Sequence, residues 1–143
     1  MAELTINHLQ TDPSPPKPGK YAGDIGIDIR AQIEEPATIL PGHGLFVWGG
    51  FHIEFPPGYA GLVLGRSSMN RNGLLVMTGV IDSGYTGEIG AQLHNITCDP
   101  VTIKPDQAIA QLVIIPAIHP VPVPVAAFEA TERGAQGWGS SGS

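Results

Sequence analysis

The sequence predicts an all-β protein, an antiparallel sandwich or barrel of many short strands. Three observations predict it. Nineteen glycines and fourteen prolines among 143 residues punctuate the chain every few positions, too often for a helical bundle. Strand-length apolar pieces alternate with turn residues from residue 25 onward. No segment sustains a helical period. With 42% apolar and 14% charged residues, the composition is that of one globular domain with a hydrophobic core, and it shows no internal repeat.

The elements follow in order. Residues 2–9, AELTINHL, read as a first strand, and the stiff TDPSPPKPGK after it is too short and too early to divide domains. Then come IGIDIRA (25–31), ATILP (37–41), GLFVWGGFHIEF (44–55), YAGLVLG (59–65), GLLVMTGVI (73–81), EIGAQLHNI (88–96), VTIKP (101–105) and AIAQLVIIP (108–116). PGHG, PPG, NRNG, DSGYTG and KPDQ supply the turns between them. SSMNR (67–71) has room for one helical turn. After residue 116 proline alternates with valine. Proline cannot sit in a central strand, so residues 117–132 are an edge strand or an extended arm leaving a barrel of residues 1–116. The arm's Ile118, Val121, Val123, Val125 and Phe128 need cover, from their own barrel or a neighbour's. Residues 133–143, RGAQGWGSSGS, form a glycine-rich tail.

Charge narrows the partners. Net charge is −6, with seven lysines and arginines against thirteen acids, so stable nucleic-acid binding is not expected. A small anionic ligand remains compatible, because a few arginines or a metal ion reverse the field inside one cleft. The single Cys98 makes no internal disulfide and fits a reducing intracellular compartment. No apolar run approaches membrane-spanning length, and the N-terminus lacks a signal-peptide pattern. His8, His43, His52, His94 and His119 have no metal-ligand spacing.

Four stretches could carry chemistry. In GVIDSGYTGEIG (79–90), Asp82 stands at the mouth of a glycine-rich turn and Tyr85 offers a flat wall; a plain β-hairpin would use the same residues. In GRSSM (65–69), two hydroxyls beside an arginine suit an anion, or the serine simply caps a helix. In GDIGIDIRA (23–31), Asp24 and Asp28 share one strand face and are hard oxygen ligands for magnesium. The tail's GWGSSG matches a dinucleotide fingerprint only in letters, since no helix follows it; its bare backbone amides after Arg133 could still wrap phosphates.

Taken in this order, GDIGIDIRA, GRSSM, GVIDSGYTGEI, DQAIAQLVIIP and RGAQGWGSSG resemble the five motifs of the trimeric dUTPase family, from about residue 22 to the end. Gly65, the doubled serine and Gly84 resemble its retroviral-type branch, whose members accompany a virion. The resemblance implies a jelly-roll-like barrel, a homotrimer with its C-terminal arm exchanged and active sites shared, and magnesium-dependent hydrolysis of dUTP to dUMP and pyrophosphate. It implies that Asp82 deprotonates the water that attacks the α-phosphorus, and that Asp28 reaches magnesium through water. Arg66, Ser67, Ser68 and Gln111 would serve the phosphates, with Arg133, Gly137, Gly139, Ser140 and Ser141 closing around the chain. Gly79, Val80 and Ile81 would read uracil, Tyr85 would pack under deoxyribose, and Trp138 would stack on the base. Departures from the pattern are Trp138 for Phe, Ser141 for Thr, Ile25 for a small residue, Ala108 for a basic residue and Thr86 for Arg.

Two rival readings remain. A dCTP deaminase shares the region around Asp82 but needs a glutamate where this chain has Gln92, and an amide cannot exchange protons. A non-catalytic jelly-roll module that senses nucleotides would share the fold without the chemistry.

Overall fold

A computed structural model describes residues 4–10, 16, 19–132 and 134. Among them lie β1 (Asn7–Gln10), β2 (Gly26–Arg30), β3 (Ala37–Ile39), β4 (Gly44–Glu54), β5 (Tyr59–Gly65), α1 (Ser67–Arg71), β6 (Leu74–Met77), β7 (Gly79–Ile81), β8 (Glu88–Asn95), β9 (Val101–Ile103) and β10 (Ala108–Pro116). One sheet has the order β1-β4-β8-β6, a second β2-β10-β5-β7, and β3 pairs with β9. Every pairing is antiparallel. The fold is the expected all-β, jelly-roll-like arrangement.

Period-two alternation builds the core. In β8, Ile89, Ala91, Leu93 and Asn95 point inward, while Glu88, Gly90, Gln92 and His94 alternate on the other face. They meet Phe51 and Ile53 of β4, Leu74 of β6, Val63 of β5, Ile29 of β2 and Ile109 and Leu112 of β10 in one buried cluster. Each such valine, leucine, isoleucine or phenylalanine side chain stabilises the fold by about 1.5–3 kcal/mol relative to exposure.

The run 73–81 departs from expectation. It is two strands, not one: β6 pairs with β8 in the first sheet, and β7 pairs with β5 in the second. Thr78 is the corner between them. Apart from Thr78 the run is apolar, so it carries no alternation to reveal the change of sheet, and Gly79 lies opposite Val63 of β5. Consequently β7 and β8 are not the two arms of a β-hairpin; residues 82–87 cross between sheets.

The arm also takes shape here. Ala117 N–H donates to the Gly58 carbonyl, and residues 118–132 form no strand. Ile118 and Phe128 are each 93% exposed, so the arm does not bury its apolar side chains on its own sheets.

Asn95 is the one fully buried polar side chain among the described residues. Its Nδ2 donates to the carbonyls of Ile39 (2.9 Å) and Asp99 (2.8 Å), and its Oδ1 accepts from Thr97 N–H (2.9 Å) and Thr97 Oγ1 (2.8 Å). Asn95→Ala should therefore lower the unfolding free energy by about 2–3 kcal/mol, because the carbonyls stay buried without their donor. Urea unfolding at fixed protein concentration measures it.

Candidate functional site

The first site forms where β2, β10 and β5 lie side by side. Their register puts Asp28, Gln111 and Leu64 in one row across three strands. At the end of β5, Gly65 leads into α1. These elements enclose an open cleft of about 870 Å³, lined by Lys20, Asp24, Asp28, Arg66, Ser67, Ser68, Asn70 and Gln111 among others.

Each polar group has a defined neighbour. Arg66 Nε lies 3.1 Å from Asp28 Oδ1, and its Nη1 donates to the Ala108 carbonyl at 3.2 Å. Gln111 Nε2 donates to the Gly65 carbonyl at 3.1 Å. A Cβ on Gly26 would come within 2.4 Å of Gln111 Oε1, so this glycine leaves room for the amide. Arg30 grips Asp106 through Nε (2.8 Å) and Nη2 (3.2 Å) and lies 3.8 Å from Asp28. The hydrogen bond to Asp106, with the nearby charges of Asp106 and Asp28, holds the Arg30 pKa above its ordinary value against the opposing effect of burial. It stays a permanent cation beside the cleft.

Two expectations change here. Arg66, not a serine, occupies the N-cap position of α1, with extended backbone and no side-chain cap bond. Ser67 and Ser68 open the helix with exposed side chains. Asp24 does not share a strand face with Asp28, because β2 begins at Gly26. Its carboxylate instead accepts from Tyr21 N–H at 2.9 Å, closing a turn at the cleft's rim. Lys20 and Asn70 also line the cleft, though nothing in their local sequence marks them. Only the fold brings the 19–24 loop over β2.

The cleft suits a magnesium ion carried by a polyphosphate. Asp28 offers one half-buried carboxylate, and among the described residues no cluster of three His, Cys, Asp or Glu could cage a metal alone. Magnesium is commonly held in this way, by one or two carboxylates together with phosphates and water.

The second site lies elsewhere. Phe46, Trp48, Val63, Gly79, Ile81, Tyr85, Glu88 and Gln92 help to line a cavity of about 250 Å³. Phe46 and Trp48 meet edge to face at 4.7 Å. Tyr85 is fixed at both ends: its N–H donates to the Asp82 carbonyl and its hydroxyl to the Glu88 carbonyl, each at 3.0 Å. Among the described residues β7 pairs with β5 alone, so its outer edge presents backbone donors and acceptors. Val80 and Asp82 are exposed there.

Asp82 lies far from the first cleft of its own chain. Gly61 lies opposite Ile81, whereas Leu64 lies in the row of Asp28 and Gln111. Asp82 is thus offset from Asp28 by about 13 Å along the strands and about 14 Å across them. Asp82 lines neither cleft. Arg133, Gly137, Trp138, Gly139, Ser140 and Ser141 lie outside the described residues.

A family model described as dUTPase matches residues 13–142. The deoxyuridine 5'-triphosphate nucleotidohydrolase of Alcanivorax borkumensis is 38% identical over 124 residues, 84% of this chain and 83% of that protein. The enzyme of the same name from Neisseria meningitidis serogroup B is 36% identical over 125 residues, 85% and 83% of the two chains. Among solved structures, the dUTPase of Staphylococcus bacteriophage 80alpha with dUpNHpp superposes with a TM-score of 0.82 at 26% identity, covering 97% of this chain and 99% of its own. A dUTPase of phage phi11 of S. aureus, described with a structural Mg(II) ion, gives 0.79 at 23% identity over 89% and 100%; at that identity it speaks for the fold.

Removing the cleft's central cation should weaken anion binding without unfolding the chain. Arg66→Met is expected to lower affinity for inorganic triphosphate by about tenfold or more, since a charge-assisted donor is lost. Isothermal titration calorimetry checks it.

Proposed function

The chain belongs to the dUTPase family, and on that premise we propose that it hydrolyses dUTP to dUMP and pyrophosphate in sites shared between the subunits of a homotrimer. The observation that carries the sharing is the distance within one chain. A general base must come within hydrogen-bond reach of its water, and the water must lie in line with the phosphorus. Asp82, offset from Asp28 by more than 10 Å in each direction, cannot serve a phosphate held beside Asp28 of the same chain. The exposed arm supports the same reading: Ile118, Val121, Val123, Val125 and Phe128 need a neighbour to bury them. So does the apolar outer face carrying Phe46, Trp48, Leu75 and Met77.

The parts then take these roles. Phosphates sit in the cleft against Arg66, Ser67, Ser68 and Gln111, and Asp28 faces the magnesium through water. Bound magnesium neutralises the phosphate charge that builds up in the transition state. Asp82 of another subunit takes a proton from the attacking water; the new P–O bond forms at the α-phosphorus as the bond to pyrophosphate breaks. The backbone edge at Gly79, Val80 and Ile81 offers donors and acceptors to the edge of uracil, and a base with a different edge would leave those groups unpaired. Tyr85 packs under deoxyribose and leaves no space for a 2′-hydroxyl. The tail adds Arg133 at the γ-phosphate, Gly137, Gly139, Ser140 and Ser141 along the chain, and Trp138 over the base. A retroviral-type assignment rests on Gly65, the serine pair and Gly84; the relatives described above are bacterial and phage proteins. Deamination is disfavoured because Gln92, an amide, lines the cavity beside Gly79 and Tyr85.

Purified protein should release pyrophosphate from dUTP with magnesium and lose that activity with a chelator, while dTTP and dCTP react poorly. A coupled pyrophosphate assay reads this, and binding without turnover would leave a nucleotide sensor instead.

Asp82→Asn is expected to retain nucleotide binding and lose about two to four orders of magnitude in kcat. A chain truncated after Thr131 should be similarly weak. Mixed and exchanged, the two chains should recover activity that neither has alone, and no recovery despite proven exchange would mean each chain builds its own site.

A further inference from the structure

We propose that His52, brought to the edge of the Tyr85 loop by a two-glycine bulge, is a positioning residue for sugar discrimination; the inference rests on the role given to Tyr85 above. The bulge is read from the β4–β8 register. Trp48 lies opposite Gly90, and the next partners are His52 and Glu88, so four steps on β4 match two on β8. Without the two extra residues, residue 50 would face Glu88. The glycines permit the detour. Gly50 has φ +73°, a left-handed conformation. A Cβ on Gly49 would lie 2.8 Å from Ile29 Cγ2 and 2.9 Å from the Ile89 carbonyl oxygen. Gly50 N–H donates to Glu88 Oε1 at 2.9 Å, which pins the bulge to β8.

The consequence falls on residues 82–87. His52 Nδ1 lies 3.0 Å from the Thr86 carbonyl oxygen. A carbonyl only accepts, so Nδ1 carries the proton and donates. The neighbouring Glu54 accepts from Asn7 Nδ2 at 2.9 Å. Tyr85 is therefore held on three sides: by the Asp82 carbonyl at its N–H, by the Glu88 carbonyl at its hydroxyl, and by His52 at the next peptide. Rejecting a 2′-hydroxyl is a steric test that turns on the placement of one ring. A loop freed at Thr86 can shift that ring while Asp82 remains in place.

The experiment compares kcat/KM for dUTP and UTP in the wild type, His52→Phe, His52→Asn and Tyr85→Ala. Phenylalanine keeps the ring volume and removes the donor; asparagine gives up the ring and keeps an amide donor where Nδ1 was. His52 is half-buried, and a melting curve with a light-scattering mass establishes that each variant is assembled. His52→Phe should reduce the dUTP-to-UTP preference about threefold to tenfold, as expected for one lost neutral hydrogen bond, and His52→Asn should retain it. The reverse pattern, or an unchanged preference in His52→Phe while Tyr85→Ala loses it, overturns the proposal. An unchanged preference in Tyr85→Ala overturns the role of Tyr85 itself, and the inference with it.

Discussion

The pairing of β10 with β2 and β5 is the interaction on which the rest of the molecule depends. Its inward residues Ala110 and Leu112, with Ile109 at the irregularity that precedes them, are fully buried at the centre of the second sheet. That burial fixes the register, because a one-residue slip would turn them to solvent. The same register sets Asp28 beside Gln111 and Gln111 beside Leu64, so the apolar face of one strand aligns the polar groups of three. Arg66 then closes over the row by holding both Asp28 and the backbone of β10. Core packing and cleft geometry are thus two faces of one strand, and neither can be altered alone.

A second constraint is distance. The cleft beside Asp28 lies at one place and the edge of β7 at another, and the pairing of β5 with both β10 and β7 holds them apart. The association proposed above would solve this without lengthening the chain. It would also account for the composition after residue 116, where proline prevents a further strand from closing on the same sheet and valine still demands burial. The outer face of the first sheet, with Phe46 and Trp48 stacked edge to face, is apolar enough to ask for the same remedy.

Much of this was legible in the sequence. β5, α1 and β10 match the sequence reading to the residue, and β8 differs from it by one. These segments have clear punctuation: glycine or proline at their ends, alternation or β-branched runs within. The corner at Thr78 was illegible because the apolar residues on both sides of it show no alternation. Asp24 was misplaced because a turn closed by its own carboxylate looks, in letters, like the start of a strand. Lys20 was missed because its place depends on a long-range fold of the 19–24 loop. The double glycine of β4 was visible, but its meaning as a bulge lies in the partner strand and cannot be read from β4 alone. Asp28, Arg66 and Gln111 were singled out by ordered motifs and do meet in one cleft; Asp82 and Tyr85 share a loop elsewhere on the surface.

The free edge of β7 has a cost of its own. A row of unpaired backbone groups is a template for any passing strand, and proteins usually blunt such edges with proline, lysine or a covering loop. Neither proline nor lysine stands within Gly79–Ile81. What limits misassembly is brevity: three residues, followed by the carboxylate of Asp82, offer an intruding chain little to pair with. A longer, steadier strand here would therefore trade solubility against rigidity, and the short edge keeps what another copy of the chain could pair with to a minimum.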